Sequence, residues 1–362
     1  MEQKRRRPPR RNRTRPILIA LCVVLALILA VLIGITAVLN HIYGNLQRPD
    51  DTRGTLSSGD METIFNTDET IDPTFDGTEV DPTDVTWDTL PNIDISDNPD
   101  VINILLIGTD GRPWEAPPRS DSMILCTFDT VNKKLVMTSF MRDLYVQIPG
   151  HDANRINVAY HLGGMSLLTD TLALNFGVHV DACVEVNFYG FPQIVDQLGG
   201  IDIELSQEEA TFLNENGNWY ADGGTPGGVW TLTAGLNHLN GEQTLAYSRI
   251  RAIGDDFQRT ERQRKVLSIL INQCKTMDPA ALFHLMNSML YLVTTDMSNQ
   301  QISSYAMELI PMLKDMTIDS QRVPVWGTYE NAVINGMQVL MPDLPKIQQI
   351  LKDTGVIYES AE

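Results

Sequence analysis

The sequence has few of the residues that usually build metal centres or covalent catalysis. Its 362 residues hold four cysteines and six histidines. Cys22 lies in an apolar run, and Cys126, Cys183 and Cys274 are far apart, so no zinc ribbon or C-x-x-C redox motif exists. Cys126 and Cys183 fall in apolar, strand-like stretches and read as buried thiols, with a disulfide between them as the alternative outside the cell. His41, His151, His161, His179, His238 and His284 show no ligand spacing, and no Ser/His/Asp set is visible. There is no Gly-rich Walker loop; Gly163-Gly164 and Gly227-Gly228 read as turns. Positive charge is also scarce. Twenty-seven Lys and Arg face 46 Asp and Glu, a net charge of −19, which argues against general nucleic-acid binding.

What positive charge there is collects at the start. Residues 1–15 carry eight Lys/Arg against Glu2. Ile17 to Leu39 then runs without a charge. At about 1.5 Å per residue such a run crosses a bilayer core of about 30 Å. We read residues 16–40 as one transmembrane helix of the signal-anchor type. The basic flank places the N-terminus in the cytoplasm and the rest outside the cell membrane. A cleaved signal peptide has a shorter apolar run and a small-residue cleavage site, which Asn40-His41-Ile42-Tyr43 does not supply. Residues 41–100 are acidic and rich in Thr, Pro, Gly and Ser. They read as a disordered, self-repelling stalk, with a poorly patterned extra domain as the alternative.

The remaining 262 residues suffice for one large core. Val101–Ile107, Met123–Phe128, Lys134–Phe140, Leu144–Ile148 and Ala182–Val186 read as strands covered on both faces. Helices fit Val158–Leu162, Ser166–Phe176, Phe191–Leu198, Gly241–Tyr247 after an Asn240 cap, and Arg259–Cys274. The pattern predicts an α/β sandwich, helices on both sides of a central mixed sheet, over residues 101–271. Residues 272–355, rich in Met, Leu and Ile, read as a mainly helical C-terminal extension packed on or continuing that domain, with a turn near Pro324–Tyr329.

Three clusters carry chemistry. The first is Gly108-Thr109-Asp110-Gly111-Arg112 with Arg119-Ser120-Asp121-Ser122. Asp110 follows one strand and Asp121 opens the next, so both carboxylates can converge on a hard cation such as Mg²⁺. The alternative makes Asp110 a turn residue and Asp121 a partner of Arg119. The second is Ser139-Phe140-Met141-Arg142-Asp143, followed by Arg155-Ile156-Asn157. The third is Arg249-Ile250-Arg251 with Arg259, Arg262, Gln263 and Arg264. Arg249 and Arg251 share a face in extended backbone, and Arg259 and Gln263 share one on a helix. Arg262 and Arg264 lie elsewhere on that helix and read as solvated or paired with Glu261. Convergent guanidinium groups suit a multiply charged anion; the alternative is a solvated basic helix face.

In this order the motifs resemble the LytR-CpsA-Psr family of bacterial cell-envelope proteins. The resemblance runs from about Asn103 to Leu270. Its series is Ile-Gly-Thr-Asp at 107–110, Arg-Ser-Asp-Ser at 119–122, Ser-Phe-Met-Arg-Asp at 139–143, Arg-Ile-Asn-Val-Ala-Tyr at 155–160, Leu-Gly-Gly-Ile at 198–201, the stretch ending in Tyr-Ser-Arg-Ile-Arg at 251, and Asp-Phe-Gln-Arg-Thr-Glu-Arg-Gln at 256–263. The resemblance implies an α/β domain with an apolar pocket for a polyprenyl tail. It implies a phosphotransferase that moves a glycopolymer, teichoic acid or capsule, from a polyprenyl pyrophosphate carrier to peptidoglycan, with Mg²⁺ or Mn²⁺ as cofactor and pyrophosphatase as a side activity. Asp110 and Asp121 then match the metal carboxylates, and Asp110, Asp121, Arg142 and Arg251 the catalytic set. Arg119, Arg142, Arg155, Arg249, Arg251, Arg259 and Gln263 match the pyrophosphate contacts. Arg155 stands where many members carry Lys, and the loop from Asp110 to Asp121 varies, so Arg112 and Arg119 can exchange roles. The runner-up reading is a non-catalytic polyprenyl-phosphate-binding or sensing protein of the envelope.

Overall fold

A computed structural model describes Arg48 and residues 75–87, 98–109, 119–222 and 230–358. All of them fall within the unit Gln47–Glu362. The basic tail, the predicted span and most of the 41–100 stalk lie outside the described residues. Among those described, no helix is long and apolar enough to cross a membrane.

The first elements are β1 (Thr78–Glu79), β2 (Val101–Thr109), β3 (Ser120–Asp129), β4 (Lys134–Phe140), β5 (Tyr145–Val146), β6 (Asn154–Arg155), α1 (Ile156–Phe176), β7 (Ala182–Asn187) and α2 (Gly190–Gln197). They are followed by β8 (Ile201–Leu205), α3 (Gln207–Asp222), β9 (Gly235–Leu239), α4 (Gly241–Ser248), α5 (Asp256–Lys275) and α6 (Pro279–Met289). The chain closes with β10 (Thr294–Thr295), α7 (Asn299–Leu313), β11 (Thr317–Val323), β12 (Tyr329–Ile334), β13 (Met337–Pro342) and α8 (Leu344–Asp353).

The central sheet has six strands in the order β10-β7-β2-β3-β4-β11. β3 is antiparallel to β2 and β4, while β7 runs parallel to β2 and β11 parallel to β4. Successive side chains on a strand face opposite ways, and the core divides accordingly. Leu105, Ile107, Met123, Leu125 and Val136 pack with Leu168, Leu172 and Phe176 of α1 and with Ile347 and Leu351 of α8. Ile124, Cys126, Leu135 and Met137 pack on the other face with Leu267 and Ile271 of α5 and with Leu309 and Met312 of α7. This is the expected mixed-sheet sandwich. The period-2 split also separates Cys126, in the second cluster, from Cys183, in the first. The two thiols lie on opposite faces of the sheet and are free, so no disulfide joins them. Burial raises both, Cys126 to about 12.

A second small core joins the antiparallel β8–β9 pair, whose strands are separated in sequence by α3, to α2, α4 and α5 through Val195, Ile203, Leu239, Tyr247 and Val266. The capping box at α4 is reciprocal: Asn240 Oδ1 accepts from the Gln243 amide at 2.9 Å and Gln243 Oε1 from the Asn240 amide at 3.0 Å. α1 breaks at Gly163 and Gly164, where Gly164 takes φ +65°, in keeping with the expected turn there.

Two expectations need correction. Residues 75–87 are not stalk. β1 adds a parallel strand to β12, while Val80, Val85 and Trp87 bury against Tyr145, Ala332 and Ile334. Sparse as they are, these apolar residues meet a sheet edge with open hydrogen-bonding groups, and that suffices to fix them. The stretch after Met277 is also less helical than its composition suggests. It supplies both edge strands of the central sheet and the β12–β13 hairpin, whose turn residues Asn335 and Gly336 both have positive φ.

Candidate functional site

β2, β4, β7 and β11 run in one direction, so their carboxyl ends share one edge of the sheet. In open α/β sheets, ligands bind outside that edge. Here the edge carries the end of β2, the start of β3, Phe188 after β7 and Arg142 after β4.

Register places Asp121. Gly108 pairs with Ser122 and Thr109 with Ser120, so Asp121 is the extra residue of a β-bulge. A bulge re-aims the side chain it carries and leaves backbone groups off the ladder. The Asp121 carbonyl accepts instead from Arg259 Nη2 at 3.3 Å. Its carboxylate takes Arg142 Nη1 at 3.2 Å and lies 3.8 Å from Arg251 Nη2. Burial works to raise the Asp121 carboxyl, but the Arg142, Arg259 and Arg251 charges outweigh it and hold the group below its usual range.

The network continues on both sides. Arg142 Nε lies 3.5 Å from Asp143 Oδ2 and 3.7 Å from Asp256 Oδ2. Arg155 Nη1, on a buried side chain, donates to Asp143 Oδ1 at 3.2 Å. Arg259 Nη2 donates to Asp256 Oδ2 at 2.9 Å. Only 2% exposed, Arg259 is pushed down to about 10 by burial, which Asp256 partly offsets. Among the described residues, four guanidinium groups thus share these three carboxylates, an excess of one positive charge.

That excess faces a cavity of about 370 Å³ lined by Gly108, Asp121, Ser122, Phe188, Arg249, Arg251, Arg259 and Gln263. Arg249 caps the end of α4 and lies 4.1 Å over the Phe188 ring, a cation–π contact that aims it. Arg259 and Gln263 are one turn apart on α5, and Gln263 Oε1 accepts from Ser122 Oγ at 3.0 Å. A side chain at Gly108 would meet Ser122 Cβ at 3.1 Å, so glycine keeps this wall open.

Of the residues singled out from sequence, Asp121, Arg249, Arg251, Arg259 and Gln263 line this cavity, and Arg142 and Arg155 stand behind it. Arg119 immediately precedes β3. Asp110 and Arg112 lie outside the described residues. Arg262 and Arg264, expected to be solvated or paired with Glu261, are both buried and not solvated, and the Glu261 charge acts on Arg264. Arg262 bonds Glu209 at 2.9 Å and the Ile250 and Ile253 carbonyls. Asp256 and Phe188 were not singled out. Asp256 was detectable, since it follows the Asp255 cap and stands three residues before Arg259 on one helix. Phe188 carries no local signal.

No group of three or more metal-type ligands occurs among the described residues. Among the described residues that line the cavity, Asp121 is the one ionised, hard oxygen donor. Such a donor suits a Mg²⁺ that also takes phosphate oxygens and water as ligands.

Fold and site together define an α/β sandwich protein with an anion-binding cavity, built from arginines, at the carboxyl edge of its sheet. Residues 67–354 match the LytR_cpsA_psr family, and the chain belongs to it. It is 35% identical over 170 residues to the regulatory protein MsrR of Staphylococcus aureus, covering 47% of this chain and 48% of that protein. It is 33% identical over 182 residues to the polyisoprenyl-teichoic acid–peptidoglycan teichoic acid transferase TagT of Bacillus subtilis, covering 49% and 54%. The matches span about half the length of these curated relatives. Among solved structures, TagT bound to LI-WTA aligns with TM-score 0.58 at 26% identity, over 72% of this chain and 91% of that one.

Proposed function

We propose that this protein is a Mg²⁺-dependent phosphotransferase that moves a glycopolymer from a polyprenyl pyrophosphate carrier to peptidoglycan. The observation that carries the reading is the positive excess of the Arg142–Asp121–Arg251–Arg259 network beside the cavity. Phosphoryl transfer needs positioning and neutralisation of oxygen charge more than a protein nucleophile. The name of the relative TagT, a transferase acting between polyisoprenyl-teichoic acid and peptidoglycan, supports the same class.

In this reading Arg249, Arg251 and Arg259 bind the pyrophosphate oxygens, and Arg142 fixes Asp121 between them. A hydroxyl of the acceptor glycan attacks the phosphorus bonded to the polymer. The bond from that phosphorus to the bridging oxygen breaks, polyprenyl phosphate leaves, and the hydroxyl proton is released. Mg²⁺ held by Asp121, with Asp110 as the expected second carboxylate, would offset charge on the leaving oxygens. Asp121 is a weak base because its arginine neighbours favour the ionised form. Its part is therefore to hold the cation and the guanidinium groups. The N-terminal apolar run would anchor the protein in the cell membrane with this domain outside, where the energy for transfer comes from the substrate's own pyrophosphate and not from ATP. The acidic charge of residues 101–362, −13, speaks against a nucleic-acid-reading role for this domain.

The test is reconstituted transfer with Arg251→Ala and Asp110→Ala. Both variants are expected to melt cooperatively and to transfer no polymer. Transfer retained by both would sink the assignment. Binding of the lipid carrier by the wild type without transfer would favour the non-catalytic reading.

A further inference from the structure

The same sheet edge continues past the arginines to β11, and there it changes character. Val323, the last residue of β11, pairs with Phe140 and accepts from the Met141 amide at 2.8 Å, so the segment after it emerges beside Arg142. Three residues on, Trp326 is 72% exposed. An exposed tryptophan is normally mobile, but this one is braced. Its ring centroid lies 5.3 Å from Phe257 and 5.8 Å from Tyr329, and Phe257 and Tyr329 are 5.5 Å apart. Arg322 lies 4.1 Å over Phe257 and 5.0 Å over Trp326. Phe257 in turn directly follows Asp256, the carboxylate that Arg142 and Arg259 share. Three rings and a cation therefore hold a large aromatic face open to solvent, one residue along the chain from the anion network.

Beyond Tyr329 the surface turns polar. A cavity of about 220 Å³ is lined by Tyr329, Glu330, Asp343 and Lys346 together with Gly327 and Met341. The charges of Asp255 and Asp76 also act on Tyr329. Four carboxylates thus stand near Arg322 and Lys346; Lys346 pairs with Asp343 at 2.6 Å, and Arg322 lies near Arg264 as well as over the rings. The charges here are mixed, whereas the cavity of the arginine network is walled by arginines and attracts a polyanion. A neutral ring fits: its C–H face stacks on an aromatic face, and its hydroxyl and amide hydrogens find carboxylate acceptors.

We propose that Trp326, braced by Phe257, Tyr329 and Arg322, is the stacking platform for a neutral amino-sugar ring of the acceptor glycan. The ring's polar edge meets Glu330 and Asp343. This deepens the transferase reading and rests on it: the anionic donor occupies the arginine cavity, and a neutral sugar ring of the acceptor approaches along the same sheet edge from the β11 side.

The test uses the full-length protein with a polyprenyl pyrophosphate-linked donor and soluble, uncross-linked peptidoglycan strands as acceptor. Trp326→Ala, at an exposed position, is expected to raise the acceptor KM by about tenfold, the scale of one aromatic stacking contact. Donor KM and melting temperature stay unchanged. Trp326→Phe restores most of the acceptor affinity. An acceptor KM unmoved by Trp326→Ala, while Arg251→Ala still abolishes transfer, overturns the platform and leaves the transferase reading intact. A rise in donor KM alone overturns it too, by assigning the platform to the polymer being transferred. If the wild type transfers nothing, binding of the strands to wild type and Trp326→Ala, followed by heteronuclear NMR, decides the platform separately. Weaker binding by the variant supports it, and equal binding overturns it.

Discussion

Replacing Asp256 with Asn would test the electrostatic logic of the site at a residue that does not itself line the cavity but holds Arg259, which does. Asp256 accepts from Arg259 Nη2 at 2.9 Å, and its carboxylate lies 3.7 Å from Arg142 Nε, beyond hydrogen-bond reach. The side chain of Arg259 is only 3% exposed. Asn keeps an oxygen that can accept from Arg259 but removes the charge. Breaking a buried pair by removing one partner costs about 3–5 kcal/mol. The Asp121 carbonyl still accepts from Arg259, and Asp256 is 21% exposed, so the lower end applies. A loss of about 3 kcal/mol should lower the melting temperature by about 6–12 °C for a domain of this size. The assay is thermal unfolding of wild type, Asp256→Asn, Arg259→Gln and the double variant. The pair should show a coupling of more than about 1 kcal/mol, since the residues touch. An unchanged melting temperature in Asp256→Asn, or strictly additive effects, would refute the claim that Asp256 compensates a buried charge.

Asp121→Asn should destabilise the protein in a pH-dependent way. The folded-state pKa of Asp121 is lowered, so its contribution is fully present above the unfolded value of about 4 and is lost as pH falls through its own lower pKa. The gap in melting temperature between wild type and variant should therefore be constant near neutral pH and close in strong acid; a gap independent of pH would contradict this. Trp87→Ala should cost about 1–2 kcal/mol, because its ring stacks on Tyr145 at 6.0 Å and is half-buried. Hydrogen exchange of the β12 amides should quicken with it, and no change in either would return residues 75–87 to the stalk.

The sheet interior was legible because period and burial agree. Residues such as Leu105, Leu125 and Leu135 sit in strands covered on both faces, and such strands read as apolar runs. The caps of α4 and α5 were partly legible for a local reason, since Asn240 and Asp255 act within three residues. β11 was not. Its sequence, Thr-Ile-Asp-Ser-Gln-Arg-Val, is largely polar because it is an edge strand, and its partner β4 lies 183 residues away. The β12–β13 hairpin did carry a signal, Asn335-Gly336, which a reading from Met, Leu and Ile content passes over. At the site, the arginines stood out against an acidic chain, and their spacing on α5 placed Arg259 and Gln263 together. The bulge at Asp121 could not be read, because it is a property of the pairing of two strands and not of either alone. Nor could the Trp326 platform, which takes its rings from α5, β12 and the segment after β11.

The most direct measurement follows both products of one reaction. Purified full-length protein, Mg²⁺, polyprenyl pyrophosphate-linked glycopolymer and peptidoglycan strands are incubated together. Mass spectrometry then quantifies the released lipid and the modified glycan. Polyprenyl monophosphate and glycopolymer joined to peptidoglycan through a phosphodiester, appearing in equal amounts and absent with Arg251→Ala, are the predicted result. Lipid carrier bound but intact, with the glycan unmodified, would contradict it.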